Sequence, residues 1–247
     1  MELKGKAALI TGASSGIGAA TARALASAGV RVALLARRSD QLETLKTEIQ
    51  KGGGEALVTC ADVTKKAEVK KAVDVCLKAF GNIDILINNA GIMPLSMMKN
   101  LHEEEWERMV DVNIKGVLFC IGAVLPGMIK QASGHIVNTS SVAGRKVMMG
   151  SAVYCATKFA VSALSEGLRM ELGQASNIRV TVIEPGAVAT ELIRGITDKD
   201  IMGVIGPAFQ NVKPMKGDDI ARAVLYALSQ PDNVNAADIM IMPTSQG

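Results

Sequence analysis

Residues 6–29 read KAALITGASSGIGAATARALASAG, and how this stretch is read decides the fold. The opening KAALIT (6–11) is a short apolar run ending on a β-branched pair, of the kind that forms a strand. From Ile17 onward, IGAATARALASAG is rich in alanine and leucine and stops at Gly29, as a helix does. Between them lies Thr11-Gly12-Ala13-Ser14-Ser15-Gly16-Ile17-Gly18, a glycine-rich turn. Glycine permits a tight turn and a close approach of backbone N–H groups to another molecule. A strand that turns through glycines into a helix presents the positive helix end, which suits a pyrophosphate. The spacing is GxxxGxG rather than GxGxxG, and a tight turn packing helix on sheet would use glycines too.

The same alternation continues down the chain. Strand-like runs recur at 30–36, 55–60, 83–89, 134–141, 178–185 and 237–242. Helical segments lie between them at 39–51 (opened by Ser39 or Asp40 as its cap), 65–81, 103–130, 152–173 and 217–231. Pro126 falls near the end of the longest apolar one, and a looser stretch spans 186–213. The strands are nearly continuous apolar runs, as expected where helices cover both faces of a sheet. The expectation is an α/β fold: one Rossmann-type doubly wound, mostly parallel seven-stranded sheet forming a single domain over residues 1–247.

Composition narrows the function. Half of the 247 residues are hydrophobic, aromatics are scarce, and net charge is only +3 with both signs interspersed. That gives little support for nucleic-acid binding. Cys60, Cys76, Cys120 and Cys155 form no CxxC pair, and His102 and His135 are isolated, so neither disulfides nor a metal site is expected. No apolar run reaches about 18 residues and no leader-like segment opens the chain, so a soluble cytoplasmic protein without membrane contact is expected.

Tyr154 and Lys158 stand at i and i+4, on one face of a helix. An ordinary amphipathic contact would look the same. The chemistry of the pair is nevertheless specific: a phenol ionises at about 10, and a nearby ammonium lowers that value toward the range useful for proton exchange.

TGxxxGxG after the first strand, Asn88-Asn89-Ala90-Gly91 after the fourth, and then Ser141, Tyr154 and Lys158 together resemble the short-chain dehydrogenase/reductase family over essentially the whole chain. The resemblance implies an enzyme in which Tyr154 exchanges a proton with a substrate carbonyl or secondary alcohol as hydride passes to or from nicotinamide. Lys158 would lower the phenol pKa and hold the nicotinamide ribose, and Ser141 would hydrogen-bond the substrate oxygen. Ser140 is one residue too far from Tyr154 for that role. Asn113, in DVNIKG, matches the helix-kinking Asn of a proton relay, and is otherwise a satisfied helical amide. Gly12, Ser14, Ser15, Gly16, Ile17 and Gly18 would cradle the pyrophosphate. Asp62 with Val63 would meet the adenine, or Asp62 would be a structural cap. Asn89, Ala90 and Gly91 would line the adenosine ribose, and Pro185, Gly186, Val188 and Thr190 the nicotinamide carboxamide. The helices 103–130 and 152–173 match the family's subunit interface, which implies a homotetramer.

The stretch LLARRSD (34–40) bears on the choice of cofactor. An acid after the second strand would bond the free ribose hydroxyls of NAD and repel a 2′-phosphate; here Ala36 stands instead, followed by Arg37 and Arg38. A guanidinium fork suits phosphate. The expectation is NADP, resting mainly on Arg37, with Arg38 either a second phosphate ligand or a solvated helix-entry residue. In the loop 186–213, Leu192, Ile193, Ile196, Ile201, Met202, Val204, Ile205 and Phe209 either line a pocket, with Met148 and Met149, or pack the loop onto the core. Arg145, Lys146 and Arg194 either recognise a substrate carboxylate or form a solvated rim. ADIMIMPTSQ and ALLARRSDQLETL resemble the NADP-dependent 3-hydroxy acid/serine dehydrogenases and the clavulanic acid dehydrogenase type more than the 3-oxoacyl thioester reductases. A non-catalytic NADP-binding sensor of the same fold is the rival reading; the catalytic set speaks against it.

Overall fold

Strands of four to eight residues alternate with helices along the chain because apolar runs of that length are punctuated by glycine and polar turns. The computed structural model describes residues 2–209 and 211–246, with residues 202 and 207–209 described by backbone only. Met202 and Phe209, expected in the substrate wall, therefore have side chains outside the described set. The strands are β1 (Ala7–Thr11), β2 (Arg31–Ala36), β3 (Ala56–Cys60), β4 (Ile85–Asn88), β5 (Gly134–Thr139), β6 (Ile178–Pro185) and β7 (Asp238–Ile241). They form one sheet in the order β3-β2-β1-β4-β5-β6-β7, with every pairing parallel.

The apolar runs are continuous because successive residues serve opposite faces. Ala8 and Ile10 of β1, with Val32 and Leu34 of β2, face a layer made by α1 (Gly16–Ser27), α2 (Ser39–Lys51) and α8 (Gly217–Ser229). Ala7 and Leu9, with Ala33 and Leu35, face α3 (Lys66–Phe80), α5 (Gly116–Lys130) and α6 (Ala152–Ser176). Period-two alternation places both sets in cores, while the edge strand β7 exposes Asp238 and Met240 on one face.

Residues 103–130 are continuous helix with a break in pattern: α4 (Glu103–Val110) passes through a π-helical turn at Asp111–Lys115 into α5. By length and composition Glu103–Lys130 could cross a membrane; here one face of α5 is buried against α3 and the sheet. The stretch expected to be loose, 186–213, is more ordered than its sequence suggested. It carries a 3₁₀ turn, Glu191–Gly195, and a helix, α7 (Lys199–Phe209). The apolar spacing there is helical because it belongs to a real helix, which buries Ile201 in a small core with Leu95, Met109, Ala143, Tyr154 and Cys155.

The chain leaves β1 and β4 in opposite directions across the sheet, which opens a crevice at their carboxyl ends where such sheets bind ligands. The candidate catalytic and cofactor-binding residues other than Gly18 and Asn113 line that crevice.

Candidate active site

The turn after β1 can exist only with glycine at two positions. Gly12 has φ of +66°, and a Cβ there would stand 2.9 Å from Ala90 Cα. A Cβ at Gly18 would collide with the Gly12 carbonyl, so the first turn of α1 lies directly on the glycine turn. Thr11 fastens this turn to the end of β4: its Oγ1 donates to the Ile87 carbonyl at 3.3 Å and accepts from the N–H groups of Asn89 and Ala90, each at 3.0 Å. Asn89 Nδ2 donates back to the Thr11 carbonyl at 3.2 Å. The two segments expected to share a ligand are thus one rigid corner.

Asn113 sits in the π-helical turn and is fully engaged. Its Oδ1 accepts from Ile92 N–H at 2.9 Å, and its Nδ2 donates to the Ile92 carbonyl at 3.0 Å and to Thr157 Oγ1 at 3.1 Å. Gly91 lies between Asn113 and Lys158, so that a Cβ there would be 3.4 Å from Asn113 Oδ1 and 3.7 Å from Lys158 Nζ. The extra residue of the π turn swings this amide inward, a use to which such bulges are put.

Ser140 and Ser141 diverge at the end of β5. Ser140 is buried, donates to the Lys158 carbonyl at 2.9 Å and meets Ser162 Oγ at 3.0 Å, so it fastens α6 to the sheet. Ser141 caps the following turn, its Oγ accepting from Ala143 N–H at 3.1 Å and donating to the Pro185 carbonyl at 3.3 Å, and it faces Tyr154. Both Tyr154 and Lys158 are buried on α6. Lys158 Nζ lies 5.7 Å from the Tyr154 ring centre and donates to the Thr139 carbonyl at 2.9 Å. Burial pushes the Tyr154 phenol up to about 12, against a hydrogen-bonding interaction with Ser141 that lowers it. Burial also pushes the Lys158 ammonium down to about 8. Among the chain's own groups, desolvation therefore outweighs the help that the lysine was expected to give the phenolate.

These residues line a cleft of about 1030 Å³. Its walls include Gly12, Ser14, Ser15, Gly16, Ile17, Arg37, Arg38, Asp62 and Val63 at one end, and Asn89, Ala90, Gly91, Ser141, Tyr154, Lys158, Pro185, Gly186, Val188 and Thr190 further along. Of the expected site residues, Gly18 and Asn113 stand behind the wall. Asp62 takes its structural part as well: its Oδ1 accepts from the Thr64 N–H and hydroxyl, each at 2.9 Å. Burial alone would raise its carboxyl, but the two Thr64 hydrogen bonds and the Arg37 and Lys65 charges together outweigh it and hold the carboxyl below the usual range.

The two arginines differ. Arg38 folds over the glycine turn, donating to Ser14 Oγ and Ser15 Oγ at 2.9 and 2.7 Å. Arg37 offers the cleft an exposed side chain and its charge acts on Asp62. On the substrate side, Met148 lines the cleft with Ile92, Met93, Leu192, Ile193, Ile196 and Ile205, while Met149 is 67 % exposed. Arg145 is committed to Glu184 and Asp238, at 2.7 and 3.1 Å, and Arg194 to Glu191 at 3.2 Å. Lys146 is exposed.

Three groups that fasten the segments around the cleft left no sequence signal, and of these Gln246 lines it. Gln246 reaches back from beyond β7 and accepts from Ala187 N–H at 2.7 Å, while Ser245 Oγ accepts from Lys213 N–H at 3.1 Å. Asp198, buried, accepts from Met97 N–H and Asn100 Nδ2, each at 2.9 Å. These partners lie 32 to 101 residues apart in the chain, beyond the reach of any local pattern.

The model of the family described as short chain dehydrogenase matches residues 6–201. The chain belongs to the short-chain dehydrogenase family. It is 48 % identical over 245 residues to an uncharacterised oxidoreductase of Staphylococcus saprophyticus, covering 99 % of this chain and 98 % of that one. Among solved structures it is similar to the closed form of serine dehydrogenase complexed with NADP⁺, with 34 % identity, a TM-score of 0.88, and 98 % and 96 % of the two chains covered. It is similar also to an alcohol dehydrogenase from the archaeon Thermococcus sibiricus complexed with 5-hydroxy-NADP, with 32 % identity, a TM-score of 0.87 and 98 % of each chain covered. As a short-chain dehydrogenase, the chain is an oxidoreductase by family.

Proposed function

We infer that this short-chain dehydrogenase is an NADP(H)-dependent enzyme interconverting a carbonyl compound and a secondary alcohol. The observation that carries the reading is the convergence of Ser141, Tyr154 and Lys158 on the cleft that also holds the glycine turn and two arginines. The cleft fits the cofactor. The close approach of the turn to Ala90, which no side chain at Gly12 would allow, leaves backbone exposed where a pyrophosphate needs N–H donors. The absence of an acid at Ala36 and the presence of Arg37 and Arg38 suit a 2′-phosphate.

Gly12, Ser14, Ser15, Gly16, Ile17 and Gly18 would hold the pyrophosphate, Arg37 and Arg38 the 2′-phosphate, and Asp62 and Val63 the adenine. Asn89, Ala90 and Gly91 would flank the adenosine ribose. Pro185, Gly186, Val188 and Thr190 would hold the carboxamide. When bound, NADPH supplies the hydride. Tyr154 gives its hydroxyl proton to the developing alkoxide, and Ser141 holds the same oxygen by a hydrogen bond. Lys158, fixed by the Thr139 carbonyl, keeps a positive charge near the phenolate that results. Asn113 holds the Ile92 backbone and Thr157 so that a proton path past Lys158 stays open. The apolar wall of Met93, Leu192, Ile193, Ile196 and Ile205 suits a medium-sized apolar substrate and excludes water.

The reading includes assembly into a homotetramer. Leu118 and Ile129 on α5 are each exposed, as are Phe159 and Met170 on α6. Each pair is separated by eleven residues, about three turns, which puts its members on one side of the helix. The reading also includes a cytoplasmic location, supported by four free cysteines.

Tyr154→Phe tests the chemistry. Turnover of NADPH with aldehydes, ketones and β-keto esters is expected to fall by about 10³-fold, with NADPH affinity within twofold of wild type. Near-normal turnover in this variant would remove Tyr154 from the reaction, and no wild-type turnover with any compound, despite tight cofactor binding, would favour a sensor.

A further inference from the structure

The first turn of α1 contains no acidic residue of its own, although a helix N-terminus favours one. A carboxylate reaches this place from elsewhere in the fold. Glu191, directly after Thr190 and at the start of the 3₁₀ turn, pairs through Oε2 with Arg38 Nη1 at 2.9 Å. The same guanidinium donates to Ser14 Oγ and Ser15 Oγ. Glu191 Oε1 takes a second arginine, Arg194 Nη1, at 3.2 Å. Arg38, and after it Ser15, hold the Glu191 carboxyl below its ordinary range. The segment that carries Glu191 lies on the glycine turn: a Cβ at Gly16 would stand 3.1 Å from Thr190 Cγ2.

We propose that Glu191 is a specificity-determining residue for the cofactor, an internal carboxylate that holds the Arg38–Ser14–Ser15 anion seat and yields it to the phosphate of an incoming dinucleotide. This rests on the NADP(H) reading above. A ligand that brings a 2′-phosphate gives Arg38 a bidentate partner at least as good as the carboxylate it displaces. A ligand without that phosphate offers nothing for the exchange, and Glu191 keeps the arginine. Preference for the phosphorylated cofactor is then created by Arg38 and moderated by Glu191, whose competition costs a 2′-phosphorylated ligand, and not one without the phosphate, part of its affinity. Because Glu191 is the neighbour of Thr190, releasing it also loosens the start of the loop that covers the nicotinamide and substrate end. Occupation of the adenosine end is thereby reported to the reacting end through one residue.

The experiment compares wild type with Glu191→Gln by equilibrium binding of NADPH, NADH and adenosine 2′,5′-bisphosphate, with tryptic cleavage after Arg194 as a second readout. The pair is exposed on both sides, and such pairs are worth up to about fivefold in affinity. Glu191→Gln is expected to bind NADPH and the bisphosphate roughly two- to fivefold tighter and NADH nearly unchanged, the gain fading in about 0.5 M salt. In wild type the bisphosphate, too short to reach the nicotinamide end, is expected to speed cleavage at Arg194; in the variant cleavage is fast without it. Unchanged or weaker NADPH binding in Glu191→Gln, or an equal gain for NADH, overturns the proposal and leaves the cofactor reading standing. A wild-type protein that binds no NADPH overturns both.

Discussion

The half of the cleft built on the sheet and the half built on residues 186–215 are held by different kinds of interaction. On the sheet side, the glycine turn, the end of β4 and the face of α6 are joined by hydrogen bonds of about 3 Å made by three buried side chains, Thr11, Asn113 and Lys158. On the loop side, order comes from separate pins: Glu191 on Arg38, Thr197 on Glu105 at 2.7 Å, Asp198 on Met97 and Asn100, Gln246 on Ala187 and Ser245 on Lys213. Under the proposed function the sheet side exchanges protons and needs fixed geometry, whereas the loop side covers the substrate and must open. The contrast teaches that chemistry and access are separately adjustable here, and it can be broken from either side.

The largest effect is expected at the rigid corner. Thr11→Val keeps the shape but leaves the N–H groups of Asn89 and Ala90 without their acceptor in a partly buried place. Each unsatisfied donor costs about 1–3 kcal/mol, so a loss of roughly 2–4 kcal/mol and a fall in Tm of about 5–15 °C are expected for a chain of this size. Calorimetry checks this, and NADPH affinity should fall with it. A variant as stable as wild type would mean that the corner is held by the sheet alone.

Lys158 gives a smaller effect with a definite sign. Burial pushes its ammonium down to about 8 in the folded chain, from the ordinary lysine value of 10.5. Between these values the unfolded chain binds the proton and the folded chain does not, so stability rises with pH across that window. At about 1.4 kcal/mol per unit the rise is at most about 3 kcal/mol. Tyr154, raised to about 12 from 10, acts oppositely above pH 10, where stability contributed by its retained proton is lost as pH rises. Denaturant midpoints measured from pH 7 to 10 should climb in wild type and be flatter in Lys158→Met.

The same division explains what could be read from the chain in advance. All seven strands and the α/β order were legible because apolar runs and glycine turns are local signals. Tyr154, Lys158, Ser141 and the glycine turn were legible as a set, since their types and spacings together are specific to the family. The distinction between Ser140 and Ser141 rested on spacing alone, and their divergent hydrogen bonds give it a physical basis. Arg37 stands out in the sequence because it follows Ala36, the place of the missing acid, whereas the folding of Arg38 back over the turn depends on contacts with Ser14, Ser15 and Glu191 that no local pattern carries. The helix α7 reads as loose sequence, since glycine and proline interrupt it and its order depends on burying Ile201 against the rest of the molecule. Gln246 and Asp198 act across distances in the chain where no periodicity reaches.

Asp198→Asn tests the loop side alone. The carboxylate is buried, accepts from Met97 N–H, Asn100 Nδ2 and Asp200 N–H, and has His102 Nε2 at 3.9 Å. The Asn100 hydrogen bond, chiefly, holds its carboxyl below the ordinary aspartate range, with the backbone donors adding to it against burial. An amide in its place keeps the volume but turns an N–H₂ group toward donors, so the pin weakens while the sheet side is untouched. The substrate KM is expected to rise about three- to tenfold with kcat moving less, as for a lost contribution to binding, while NADPH affinity stays within twofold. Proteolysis after Arg194 should quicken. Acid supplies the matching control: a carboxyl depressed in the folded chain contributes stability above its unfolded pKa and loses it as pH falls through the folded value. Wild-type loop cleavage should therefore accelerate below the ordinary aspartate range, and that of Asp198→Asn should not. Loss of NADPH binding in this variant would show that the two sides are one cooperative unit, and the contrast between them would fail.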